Sequence, residues 1–127
     1  MPVRSLNSSV HRWPEAEAVL AAASGWAKQL ARRVPTVLAV GCFGSYARGE
    51  AGVGSDLDLV VIVDGDAACP DPGDPTWAVE HLPVPVERLI YTAAQWAELR
   101  KGRSRFYRTL LREARWFLGG PPELSAR

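Results

Sequence analysis

The sequence predicts an α/β fold in which helices cover both faces of a buried β-sheet. Two apolar runs rich in strand-forming residues, 37–43 and 57–63, indicate buried strands, and the second run is apolar at every position after Leu59. Helical patterns stand before and after these strands. The length of 127 residues predicts a single domain over residues 1–127.

The first helix is predicted over residues 14–33, where Pro14 suits the first turn and Pro35 follows the end. Apolar residues recur at helical spacing within it: Val19, Ala23, Trp26, Ala27 and Leu30. This stripe predicts a core-facing side of the helix. After the strand at 37–43, a short helix is expected near residues 46–50, and three glycines then indicate a flexible loop.

The second half of the chain opens with a loop over residues 64–76 that is rich in Pro, Asp and Gly. A single helical turn is predicted at 77–82 and a third strand at 84–91. The prolines near the start of this strand favour an edge position or an entry point into the sheet. A short helix is expected over 93–101. A further helix should begin after Ser104 and run to about residue 115, with a short strand at 116–118.

The net charge of +1 conceals an uneven charge distribution. Residues 50–87 carry nine acidic side chains and no Lys or Arg, whereas residues 98–115 carry seven basic side chains and two acidic ones. The basic stretch could attract anions or an acidic partner, and it could equally form a solvated face that pairs with the acidic one. No signal peptide or membrane span is apparent, so we expect a cytoplasmic protein.

The two cysteines and two histidines do not predict a metal centre, since no Cys or His pair has ligand spacing. Cys42 is predicted to be a small core residue. His11 and His81 are expected at the surface. The tryptophans form no apparent platform for stacked bases, so nucleic acid is not an expected partner.

Two aspartates, Asp56 and Asp58, stand where the second strand begins. Residues two apart on a strand point to the same face, so these carboxylates should project together while Leu57 faces the opposite way. Adjacent carboxylates repel each other unless a proton or a cation intervenes. Oxygen ligands of this kind suit Mg²⁺ or Mn²⁺, and Mg²⁺ commonly adds water and substrate phosphates to one or two carboxylates.

Gly44 and Ser45 follow the first strand and turn the chain toward a helix. Such a turn can present backbone N–H groups and a hydroxyl to phosphate oxygens. The combination of this turn with a pair of aspartates after two successive strands therefore predicts a phosphate–metal site.

The string GSYARG, followed by SDLDL, resembles the signature of the DNA polymerase beta-type nucleotidyltransferase superfamily, in which Gly-Ser precedes a DxD motif by ten residues. It looks most like the minimal nucleotidyltransferases, small bacterial and archaeal proteins that are often encoded beside HEPN-type partners. The resemblance is tight over residues 37–63 and looser elsewhere. It implies a mixed β-sheet with helices packed on it and a nucleoside triphosphate, usually ATP, as donor.

The resemblance implies that Gly44 and Ser45 bind the triphosphate and that Asp56 and Asp58 bind the metal. A third carboxylate in this family often lies on a following strand, and Glu87 is the candidate here, although Asp is more common at that position. By two-metal logic, the acceptor hydroxyl would attack the α-phosphorus and release pyrophosphate, with Glu87 sharing the second metal or acting as base. Glu87 could instead be an ordinary exposed strand residue.

Arg48 lies in the same motif and is a candidate for binding the nucleotide, although it could equally pair with Glu50 or another acidic group. The expected function is Mg²⁺-dependent transfer of AMP from ATP to a hydroxyl, and the resemblance to antitoxins of this type makes a HEPN-type partner protein the candidate acceptor. The alternative is a weakly active or inactive module that acts by docking such a partner.

Overall fold

The computed structural model describes residues 13–65 and 74–120. Its helices and strands, in chain order, are α1 (Ala16–Arg33), β1 (Val37–Phe43), α2 (Ser45–Arg48), β2 (Leu57–Val63), β3 (Val86–Thr92), α3 (Ala93–Gly102), α4 (Arg105–Glu113) and β4 (Arg115–Gly119). A short 3-10 helix, Pro75–Trp77, precedes β3. The predicted bounds of the first two strands are confirmed.

The four strands form one mixed sheet in the order β3-β2-β1-β4. β2 pairs in parallel with β3, and β1 pairs antiparallel with both β2 and β4. The expectation of a mixed sheet is therefore confirmed, as is the edge position that the prolines predicted for the third strand. Pro83 and Pro85 lie just before β3, so neither removes a hydrogen bond from the interior of the sheet.

Buried apolar side chains lie on both faces of the sheet, as predicted. On one face, α1 lies over β1 and β4, and the buried residues of the cluster there include Val19, Ala23, Trp26, Ala27, Leu30, Val40, Leu59 and Val61. On the other face, α3 and α4 cover a smaller cluster of Ala39, Ile62, Trp96, Tyr107 and Leu110. Full burial of each large aliphatic side chain favours the fold by roughly 1.5–3 kcal/mol.

The third strand and the helix after it meet at Thr92. The strand runs from Val86 to Thr92, two residues later at its start and one residue later at its end than predicted, because its pairing with β2 extends from Val86 beside Leu57 to Thr92 beside Val63. The N–H of Leu57 donates to the Pro85 carbonyl at 2.9 Å as part of this pairing. Thr92 then caps α3: its hydroxyl accepts from the N–H of Gln95, whose side chain accepts from the N–H of Thr92.

Other element ends differ slightly from the predictions. The first helix begins at Ala16 rather than Pro14, and the predicted turn at 77–82 is replaced by the 3-10 helix that ends at Trp77. Ser104 caps α4 as predicted, accepting from the N–H of Tyr107 at 3.1 Å. That helix ends at Glu113 because the backbone of Ala114 is extended and leads directly into β4.

Cys42 is fully buried, and this burial raises the pKa of its thiol, which confirms the predicted core role. His81 is exposed, as expected. His11, Cys69 and most of the loop predicted at 64–76 lie outside the described residues. None of the helices in the described part of the chain is both long and apolar enough to cross a membrane.

Candidate active site

The turn after β1 places Gly44 directly against Asp58. Gly44 adopts φ 77° and ψ −154°, a conformation that disfavours residues with a Cβ. A Cβ at this position would overlap Oδ2 of Asp58. The backbone therefore approaches the carboxylate as closely as it does only because residue 44 is glycine, and Ser45 begins α2 immediately afterwards.

Asp58 is the second residue of β2 and pairs with Phe43, the last residue of β1. Leu57 is fully buried in the cluster beneath α1, so Asp58 projects from the opposite face of the sheet. Asp56 is exposed and lies just ahead of the strand. The prediction that Leu57 and Asp58 face opposite sides of the sheet is thereby confirmed.

Glu87 is the direct partner of Asp58 in the parallel pairing of β2 with β3. Partners in register on adjacent strands project from the same face, and the strands are about 4.8 Å apart. Asp58 and Glu87 therefore lie side by side near the starts of β2 and β3, and Asp56 is close enough for its charge to act on Asp58. Glu87 is exposed, whereas Asp58 is half-buried.

The pKa of Asp58 is raised by its partial burial first, then by the negative charges of Asp56 and Glu87. The positive charge of Arg48 acts in the opposite direction. Asp56 and Glu87 are therefore both close enough to Asp58 for their charges to act on its carboxylate. A cation placed among them would relieve this repulsion.

In residues 13–65 and 74–120, no three His, Cys, Asp or Glu side chains are grouped closely enough to enclose a metal ion. The donor set nevertheless fits a hard divalent cation, because Mg²⁺ commonly takes one or two carboxylates and completes its coordination with water and phosphate oxygens. Asp56 and Asp58 supply such a pair, and Glu87 lies on the neighbouring strand.

Arg48, the last residue of α2, pairs with two carboxylates. Its Nε lies 2.8 Å from Oε1 of Glu50, and its Nη1 lies 3.4 Å from Oε1 of Glu113. The pairing with Glu50 agrees with one of the two predicted roles of Arg48. Glu113 was not predicted, because it is 65 residues away in sequence and no local spacing connects the two residues.

Helix α4 flanks the site through a second contact. Phe43 and Phe106 meet edge-to-face with ring centroids 5.7 Å apart. Phe43 immediately precedes the Gly44 turn, so α4 supports the chain on both sides of that turn, through Phe106 and through Glu113.

A cavity of about 330 Å³ lies elsewhere, beside the opposite ends of β1 and β2. Its lining residues are Leu38, Ala39, Ile62, Ala93, Trp96, Ala97, Arg100 and Gly120. None of the six predicted site residues lines it.

Comparison with solved structures supports the fold. A toxin–antitoxin crystal structure with AMP-PNP superposes with a TM-score of 0.56 at 18% identity, covering 81% of this chain and 78% of the other. The toxin–antitoxin MntA-HpeT, as a mutant with two aspartates two positions apart changed to glutamate, superposes with a TM-score of 0.53 at 15% identity, with the same coverage of each chain.

Comparison by sequence gives two results. No curated protein matches the chain. The family model of the nucleotidyltransferase domain matches residues 24–113, a span that includes Gly44, Ser45, both aspartates and Glu87. The match extends over more than half of the chain and agrees with the mixed sheet and with the Gly-Ser and DxD pattern. The chain therefore belongs to the nucleotidyltransferase domain family.

Proposed function

We propose that this nucleotidyltransferase transfers AMP from ATP to a hydroxyl group of a partner protein, with Mg²⁺ or Mn²⁺ as the cofactor. The observation that carries the proposal is the contact of the Gly44 backbone with Asp58, which is itself in register with Glu87. A turn suited to phosphate and a set of carboxylates suited to a metal therefore adjoin each other.

Asp56 and Asp58 would hold the metal, and Glu87 would contribute from the neighbouring strand. When bound, the metal would neutralise triphosphate charge and lower the pKa of the acceptor hydroxyl. Partial burial first, and then the negative charges of Asp56 and Glu87, raise the pKa of Asp58, and a cation bound beside these carboxylates would favour the ionised form of Asp58.

The remaining residues of the site bind and orient the substrate. The backbone after Gly44 and the hydroxyl of Ser45 would donate hydrogen bonds to phosphate oxygens, and the Arg48 guanidinium would add positive charge. Glu87 would accept the proton of the acceptor hydroxyl. The acceptor oxygen then bonds to the α-phosphorus as the bond between that phosphorus and the bridging oxygen breaks, and pyrophosphate leaves.

A protein acceptor is supported by the toxin–antitoxin relatives and by the surface of α4. Three arginines repeat at helical spacing on this helix, and all are exposed: Arg105, Arg108 and Arg112. Such a basic stripe beside the proposed site could dock an acidic surface of a partner, and a HEPN-type protein is the partner we propose.

The test combines the protein with α-labelled ATP, Mg²⁺ and the protein encoded beside it. We expect label to pass to that partner, and we expect the double variant Asp56→Asn/Asp58→Asn to abolish transfer. Asp64→Asn is the matched control, because Asp64 is an exposed aspartate directly after the other end of β2. It should retain the wild-type rate.

A different result would favour the alternative function. If the protein forms a stable complex with its neighbour but transfers no label, and if the double variant inhibits the partner equally well, the chain acts as a docking module. If millimolar ATP and Mg²⁺ leave the melting temperature of the wild type unchanged, the proposed nucleotide site is wrong.

A further inference from the structure

We propose that Glu113, on α4, is a positioning residue that holds the Arg48 guanidinium in place to receive the triphosphate. This inference rests on the proposed nucleotide site. It connects that site to a helix that contributes none of the predicted site residues.

Two ion pairs restrict the conformations available to the Arg48 side chain. Glu50 contacts Nε and Glu113 contacts Nη1, so two carboxylates from different segments hold two nitrogens of the guanidinium. Among the described residues, no ion pair involves Nη2. The guanidinium therefore keeps hydrogen-bonding capacity for an incoming phosphate while it is held by its other nitrogens.

Glu113 is the better anchored of the two carboxylates. Its side chain is 24% exposed, against 64% for Glu50. Its Oε1 faces Arg48, and its other oxygen, Oε2, lies 3.6 Å from Nη2 of Arg112. A carboxylate engaged at both oxygens and set on a helix is a firmer support than one on an exposed loop.

The position in which Arg48 is held also matters to the site. The positive charge of Arg48 lowers the pKa of Asp58, whereas the negative charges of Asp56 and Glu87 raise it. A long side chain that is already ordered near the site loses less conformational freedom when an anion binds, so preorganisation strengthens binding. Removing Glu113 should therefore weaken ATP binding through Arg48 alone.

A double-mutant cycle tests this dependence, with the dissociation constant for ATP in Mg²⁺ measured by calorimetry. We expect Glu113→Gln to weaken binding about two- to fivefold, the range typical of an exposed ion pair. In a chain that already carries Arg48→Ala, Glu113→Gln should cause no further change. Glu98→Gln is the control, because Glu98 forms an exposed ion pair with Lys101 on α3 and should leave binding unchanged.

Three results would overturn the inference while leaving the nucleotide site intact. The first is an equal dissociation constant for ATP in Glu113→Gln and Glu98→Gln. The second is an equal loss of ATP affinity on Glu113→Gln in the presence and in the absence of Arg48. The third is tighter ATP binding by Glu113→Gln, which would mean that Glu113 competes with the phosphate. If the wild type itself fails to bind ATP, both the nucleotide site and the role of Glu113 are wrong. A melting curve of each variant verifies that it is folded.

Discussion

The backbone of Gly44 contacts the carboxylate of Asp58, although the two residues are 14 positions apart. Gly44 directly follows β1, and Asp58 is the second residue of β2. Phe43 and Asp58 are partners in the antiparallel pairing of β1 with β2, so the turn that follows Phe43 lies beside the start of β2. The proposed phosphate turn and the acidic strand are therefore one structural unit, and a change to either should disturb the other.

Replacing Gly44 with alanine should reduce both stability and activity. The combination of positive φ and extended ψ is essentially restricted to glycine and costs other residues about 1–3 kcal/mol, and the added methyl group would displace Asp58. Urea unfolding and label transfer measure the two effects. Gly52→Ala is the matched control, since a Cβ there would meet nothing within 4 Å, and it should leave both unchanged. Wild-type transfer by Gly44→Ala would contradict the close contact.

Replacing Asp58 with asparagine should raise stability at neutral pH, because the wild-type carboxylate is partly buried among like charges. The folded chain binds the Asp58 proton more tightly than the unfolded chain does. Stability from this group is thus fully present below its ordinary pKa of 3.8 and is lost as the pH rises through the raised folded value.

Denaturant melts across this pH range should therefore show the advantage of Asp58→Asn growing from acidic to neutral pH. Addition of Mg²⁺ at neutral pH should stabilise the wild type more than the variant, because the cation relieves the same repulsion. A difference in stability that does not change with pH would argue against charge repulsion as its cause.

Replacing Glu87 with glutamine should lower label transfer by orders of magnitude while ATP binding changes little, because an amide cannot accept the acceptor's proton. Glu87→Asp keeps the charge on a side chain one methylene shorter, and we expect it to retain measurable transfer. Single-turnover rates and ATP titrations separate the two steps. Full activity of Glu87→Gln would show that the third carboxylate is not Glu87.

Replacing Trp26 with phenylalanine should destabilise the protein by about 1 kcal/mol more than the same change at Trp96. Both side chains are almost fully buried, at 2% and 3% exposure. The indole N–H of Trp26 donates to the Ala78 carbonyl at 2.9 Å, whereas that of Trp96 has no hydrogen-bond partner in the described part of the chain. Urea unfolding gives the two losses, and equal losses would mean that the Trp26 hydrogen bond contributes nothing.

The central strands could be predicted from the sequence because their patterns are local. Residues 37–43 and 59–63 are short apolar runs rich in strand-forming residues, and polar or glycine residues follow or precede them, which favours buried strands. The opposite orientations of Leu57 and Asp58 follow from the same two-residue period.

The ends of other elements depend on backbone partners that a local pattern does not reveal. The third strand starts at Val86 because its pairing with β2 begins beside Leu57 and Pro85 has no N–H to donate, and it extends to Thr92, which pairs with Val63 and also caps α3. The contact between Arg48 and Glu113 was likewise not predictable. It joins two exposed or half-exposed side chains whose proximity exists only once α4 is packed on the sheet.

The parallel pairing of β2 with β3 is uninterrupted from Leu57 beside Val86 to Val63 beside Thr92. The face on which Glu87 lies therefore depends on the number of residues that precede it in β3. One residue inserted ahead of Glu87 within this strand would turn its carboxylate to the side of the sheet that α1 covers. Substitutions along the strand leave its register intact. In related sequences, one residue inserted or deleted in β3 ahead of the glutamate would therefore remove the third acid from the site even where the glutamate itself is retained.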